Sequence, residues 1–220
     1  MQLYESGAPA KAGRSRVASG TRALEIPFES RGAAMYVYVK LNDRVTAPFI
    51  VDTGATDVAV PAHVAKQAGI EITADTPRAT YQTANGRISK PIVHLDSVQV
   101  GDVRVEGVRG SVSEQMDVGL LGGTFFNNFT FQIDPAAQLI TLVPNPHVRG
   151  GIAEKQWRRR FAQAHGRLRA LSEYIDGNVF TDDGRVRELE EKRADFRRVI
   201  ADLEAEADRA GVPQAWRVEE

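Results

Sequence analysis

The sequence predicts a mainly β chain, a closed β-barrel, followed by a C-terminal α-helical hairpin. Three observations point there. Short β-rich runs broken by Gly, Asn and Asp recur at spacings of about ten residues up to residue 143. The segment Val143-Pro144-Asn145-Pro146-His147 ends that pattern, because two prolines stop strands and delay helices. Beyond it come long charged stretches with apolar residues at helical spacing. The expected division is a flexible arm at 1–22, a β domain at 23–146 and a helical hairpin with coiled-coil seams at 151–220.

The elements follow in order. Ala34 to Leu41 and Arg44 to Val51 read as two strands joined by a turn at Asn42-Asp43. Pro61 to Ala68 reads as one or two helical turns stopped by Gly69. Ala79 to Thr83 and Arg87 to Leu95 flank Ala84-Asn85-Gly86, and Asn-Gly is a strong hairpin signal. Val98 to Val105 predicts another hairpin with Gly101-Asp102 at its tip. A short helix is expected at Phe125 to Phe129, then a closing hairpin from Phe131–Asp134 and Gln138–Val143. In the last part, Trp157, Phe161, Ala164, Leu168, Leu171 and Ile175 form a seam on one helix face. Leu189, Phe196, Ile200, Leu203, Ala207 and Ala210 form a second, with Arg193 as its polar intrusion. The two-helix hairpin is too thin to bury much alone, so its apolar stripes are expected to pack on the barrel or on a second subunit.

Net charge is −1 over 220 residues, which does not call for nucleic acid or an acidic polymer. No cysteine is present, so disulfides and thiolate zinc sites are excluded. The four histidines are scattered without metal-ligand spacing. No metal and no cofactor are expected. No apolar run approaches the ~20 residues of a membrane span, and Met1 to Gly20 lacks the apolar stretch of a secretory signal. Membrane contact is therefore not indicated, and the compartment stays open between cytoplasmic and a soluble piece of an exported or anchored protein. Lys155, Arg158, Arg159 and Arg160 with Trp157 and Phe161 look like a basic amphipathic face. The acids of the second helix, among them Glu188, Glu204 and Glu206, favour an internal pairing of that face over an external acidic partner.

The chemistry concentrates at Asp52-Thr53-Gly54. The triplet follows the apolar run Pro48-Phe49-Ile50-Val51, so a buried strand aims a carboxylate outward. About seventy residues later comes a second apolar element, Val118-Gly119-Leu120-Leu121-Gly122. Two carboxylates about 3 Å apart cannot both ionise, so they share a proton. One then activates water while the other donates a hydrogen bond to a carbonyl. In that scheme Asp52 supplies the carboxylate. The Thr53 hydroxyl bonds the opposite loop, and Gly54 offers its N–H to the carboxylate. Ala55 is small enough for a substrate to lie alongside, and Leu120-Leu121-Gly122 keeps the loop dry and rigid. Only one copy of the triplet is present, so a second chain must supply the second acid. Asp117-Val118-Gly119 is no second triplet, because Val lacks the hydroxyl, and Asp134 before Pro135 reads as a turn residue.

On these residues the chain resembles the single-domain, retropepsin-like aspartic proteases, and most closely their bacterial members. The resemblance covers about Ala33 to Pro144 and carries Phe49–Thr56, Tyr81–Gly86, Gly119–Gly122 and Phe125. It implies an acid-protease barrel, two subunits about a two-fold axis and endopeptidase activity on an extended peptide. It also implies that the hairpin at Thr83, Ala84, Asn85 and Gly86 is a flap over substrate, with Ala55 and Thr56 as further substrate contacts. Two positions depart from viral relatives. Thr56 and Gly123 stand where those carry an Asp and an Arg that pair, so both charges are missing together. Asp57 is adjacent and could substitute for the missing Asp, but on a strand its side chain is expected to point the other way. The rival reading is a catalytically silent or latent barrel that acts as a binding or assembly module through its helical tail.

Overall fold

The computed structural model describes residues 23–83 and 86–218, so the expected arm at 1–22 lies outside the described residues. The elements are β1 (Leu24–Pro27), β2 (Glu29–Arg31), β3 (Ala34–Leu41), β4 (Val45–Val51), β5 (Val58–Pro61) and α1 (Ala62–Gln67). There follow β6 (Arg78–Thr83), β7 (Gly86–Val100), β8 (Val103–Ser113), β9 (Gly119–Leu121) and α2 (Gly123–Phe126). The chain continues through β10 (Phe129–Asp134), β11 (Leu139–Pro144), β12 (Val148–Arg149), β13 (Ile152–Ala153), α3 (Glu154–Asp176) and α4 (Asp183–Arg209).

The main sheet has the order β2-β3-β4-β9-β5-β8-β7-β6, and β3 also pairs with β7. Six strands, β3, β4, β9, β5, β8 and β7, therefore form a ring. Period-two alternation fills it. Val37, Val39 and Leu41 of β3 and Ala47, Phe49 and Val51 of β4 all point inward and are buried. The β3–β4 turn places Asn42 and Asp43 at φ of 50° and 58°, the paired left-handed conformation that suits a tight hairpin. The predicted β7–β8 and β10–β11 hairpins are both present. Asp134 serves the second of these as a turn residue, its Oδ1 accepting from the N–H groups of Ala136 and Ala137. β1 adds to β11 in a separate sheet of order β1-β11-β10, a pairing with no signal in the local sequence.

The short helix differs from expectation. It spans Gly123–Phe126, and Phe129 already belongs to β10. The Asn128 amide donates to the carbonyls of Thr124 and Phe125 at 3.0 and 2.9 Å, satisfying helix-end acceptors and ending the turn.

α3 and α4 form the predicted antiparallel hairpin. Arg160 near the start of α3 pairs with Glu206 late in α4, and Asp176 at the end of α3 pairs with Arg193. Trp157, Phe161, Leu203, Ala207 and Ala210 make a core of their own with Val212 and Trp216. The hairpin meets the ring at β8. Gly107 has φ of 62°, and a Cβ there would sit 2.6 Å from the Ala210 nitrogen. Among the described residues no helix is long and apolar enough to cross a membrane.

Candidate active site

The loop after β4 is built from three strands. β9 runs parallel to β4, with Ile50 beside Leu120 and Val51 beside Leu121. It also meets β5, so it threads between the two strands that bound residues 52–57. Leu121 is fully buried, and its carbonyl accepts the Asp52 N–H at 3.1 Å. Gly122 is sterically required, since a Cβ would lie 2.2 Å from the Asp57 carbonyl oxygen and 2.8 Å from that of Ala55. The start of α2 then latches the loop. Gly123 N–H donates to Ala55 O at 2.8 Å and Thr124 N–H to Thr56 O at 3.1 Å. The Thr124 hydroxyl accepts from Val58 N–H and donates to the Arg109 carbonyl, tying β5 to β8.

Asp52 is half-buried. Its Oδ1 accepts from the N–H groups of Gly54 at 3.0 Å and Ala55 at 3.1 Å. A Cβ on Gly54 would stand 3.3 Å from that same oxygen, tighter than ordinary packing. The local turn thus fixes the carboxylate by backbone donors.

Asp52 faces a cavity of about 310 Å³, shared with Gly54, Ala55, Thr56 and Leu120 from below and with Tyr81 and Gln82 of β6 from above. The β6–β7 hairpin forms that roof. Its ladder pairs Tyr81 with Ile88 and closes at Thr83 and Gly86, with Gly86 at φ of 106°. Ala84 and Asn85 lie outside the described residues, and of Thr83 only the backbone is described. Thr53 is exposed and off the cavity, while Leu121 and Gly122 support the loop from beneath.

A cluster beside the cavity has no counterpart in the sequence reading. Asp57 is 3% exposed. It lies in the bend before β5 and not within a strand, so strand alternation does not turn it away, and it lines the cavity. Its Oδ2 accepts from the Tyr81 hydroxyl in a short hydrogen bond and from the Arg109 guanidinium at 3.2 Å. Burial first, then the bond to Asp57, pushes the Tyr81 phenol above its ordinary range. A larger cavity of about 600 Å³ separates β7 and β8 from the helices and includes His94, Arg109, Arg160 and Glu206, but nothing of the Asp52 loop. Among the described residues no group of three or more His, Cys, Asp or Glu is placed to hold a metal.

Residues 37–128 match the model of the family described as gag-polyprotein putative aspartyl protease. An uncharacterized protein of Rickettsia prowazekii is 33% identical over 101 residues, covering 45% of this chain and 43% of that protein. The chain thus spans less than half the length of that curated relative. The crystal structure of a retropepsin-like aspartic protease from Rickettsia conorii is 31% identical, covers 57% of this chain and 94% of its own, and superposes with a TM-score of 0.47. The family model takes in the chain from β3 to α2, with the Asp52 loop and the hairpin roof. Residues 37–128 are thus similar to the aspartyl proteases that this family model describes.

Proposed function

We propose that the chain is an aspartic endopeptidase that acts as a homodimer, with Asp52 of each subunit forming the catalytic pair. The observation that carries this reading is the Asp52 carboxylate, held by two backbone N–H groups at the floor of a cavity roofed by a β-hairpin. Thr53 and Gly54 are exposed at the loop surface, where a second copy of the loop would approach. Water between the two carboxylates loses a proton to the ionised member, and the protonated member donates to the scissile carbonyl. Leu120 and Ala55 give the floor a small, apolar contour beside Asp52, and Tyr81 and Gln82 cover an extended peptide.

The test is Asp52→Asn, which keeps the shape and removes the shared proton chemistry. Cleavage in a peptide-library digest should vanish while far-ultraviolet circular dichroism and the thermal transition stay as in the parent. Sedimentation should report a dimer in both proteins. Retained cleavage in a folded, pure Asp52→Asn preparation would refute the assignment.

A further inference from the structure

Asp57 and Arg109 are neighbours because β5 and β8 run in parallel with Val58 opposite Gly110. The residues just before each of these then lie side by side. Thr124 fixes both strands at that level. The ion pair is therefore mounted on the rigid ring of the barrel, with the Asp57 side chain only 2% exposed. A carboxylate buried so far is tolerated when charge and hydrogen bonds compensate it. One of its oxygens, Oδ1, still has no hydrogen-bond partner, so the carboxylate leans on its Oδ2 contacts.

Tyr81 comes from a different kind of element. β6 is the terminal strand of the main sheet and pairs with β7 alone. Such a two-stranded extension is held mainly by its own ladder and is free to hinge. Its phenol reaches down past the cavity to Asp57. The raised phenol range keeps the proton on Tyr81, so the hydroxyl is the donor. Lys90 of β7 lies 5.9 Å from the centre of the Tyr81 ring and packs over it.

We infer that Tyr81, Asp57 and Arg109 are positioning residues for the hairpin roof: the buried Asp57–Arg109 pair is a fixed seat, and the Tyr81 hydroxyl docks on it to hold the hairpin down over Asp52. The inference rests on the reading of the cavity as a peptide-binding site and adds how its cover is held. Substrate enters when the Tyr81–Asp57 bond breaks and is trapped when it reforms. The seat belongs to the same chain as the roof, so the closed position does not require the second subunit. Arg109 also lines the cavity under the helices, so the seat is backed by the α4 side of the molecule.

The experiment compares Tyr81→Phe with the parent in two measurements. Hydrogen exchange is followed at residues 78–83 and 86–91 in an Asp52→Asn background, where no turnover intervenes. Loss of a hydrogen bond to a charged acceptor should speed exchange there about tenfold or more, and leave β3 and β4 unchanged. Peptide cleavage by Tyr81→Phe should show KM raised about tenfold with kcat altered much less, since the phenol touches no reacting atom. Adding Asp57→Asn to Tyr81→Phe should cause no further rise in hairpin exchange, because the two act through one bond. If the buried substitution does not fold, Tyr81→Phe alone decides. Unchanged exchange and unchanged KM in folded Tyr81→Phe overturn the inference while leaving the Asp52 assignment intact. Faster exchange with no cleavage by any variant separates the outcomes in the other direction.

Discussion

Gly122→Ala probes how tightly the Asp52 loop is held from beneath. Gly122 has φ of −108°, which any residue adopts, so the effect is one of space and not of backbone strain. The new methyl would stand 2.2 Å from Asp57 O, 2.9 Å from the Asp57 carbonyl carbon and 2.8 Å from Ala55 O. Ordinary carbon–oxygen contacts begin near about 3.3 Å, so the loop must retreat by roughly 1 Å. All three atoms are backbone, and no flexible side chain can swing away. Overpacking of this kind costs about 1–3 kcal/mol of stability. The larger effect is on geometry, because the displaced backbone lies in the segment from Asp52 to Asp57. A misplacement of about 1 Å in a catalytic constellation lowers the rate by about 10²-fold. The assay is kcat/KM on a cleavable peptide, beside chemical denaturation. Gly166→Ala is the matched control. Gly166 lies in α3 with nothing within 4 Å of an added Cβ, so the change should stabilise by roughly 0.5–1 kcal/mol and leave cleavage alone. Wild-type kcat/KM and stability in Gly122→Ala would refute the claim that the loop is fixed by close approach of β9.

Two further outcomes concern the helical side. Trp157 is fully buried, donates its indole N–H to Arg149 O at 3.1 Å and carries the Arg160 guanidinium 4.6 Å over its ring. Trp157→Ala should cost about 3–5 kcal/mol, read by denaturant unfolding, with helix lost before β structure. His94 is half-buried with an unpartnered Nε2, and burial first, then the nearby Arg209, lowers its basicity. Its unfolded form therefore binds protons more readily than its folded form. The chain should be fully stabilised by this group above the unfolded range near about pH 6.5 and lose that contribution on acidification below it. His94→Gln should flatten the fall in stability on acidification below about pH 6.5. An unchanged slope would assign the acid sensitivity to other groups.

The parts of this molecule legible in the sequence are those encoded by short spacing. The β3–β4 hairpin announces itself by Asn42-Asp43, the roof by Asn85-Gly86, and the helical hairpin by its two seams. The Asp52 turn is equally local, since both its N–H donors come within three residues. Leu120 and Leu121 were recognisable from their apolar character and a following glycine, but the parallel insertion of β9 between β4 and β5 depends on tertiary pairing. The Asp57 seat was not legible. Its members are separated by 24 and 52 residues and meet only through the β5–β8 register and the fold of the roof. Treating Asp57 as a strand residue assigned it the wrong face, because the chain bends until Val58. β1 was missed for a similar reason, as it earns its place only by edge pairing with β11.

The helical arm is anchored at one end. Its apolar grip on Trp157, Phe161, Leu203, Ala207 and Ala210 lies close to the barrel, whereas the far turn around residues 177–182 is exposed, with Val179 at 96%. A rod of 23 residues extends about 35 Å, so it behaves as a cantilever clamped at its root. Small angular slack at the clamp becomes a wide sweep at the tip, and a load applied out there returns to the β8 junction at Gly107 with mechanical advantage.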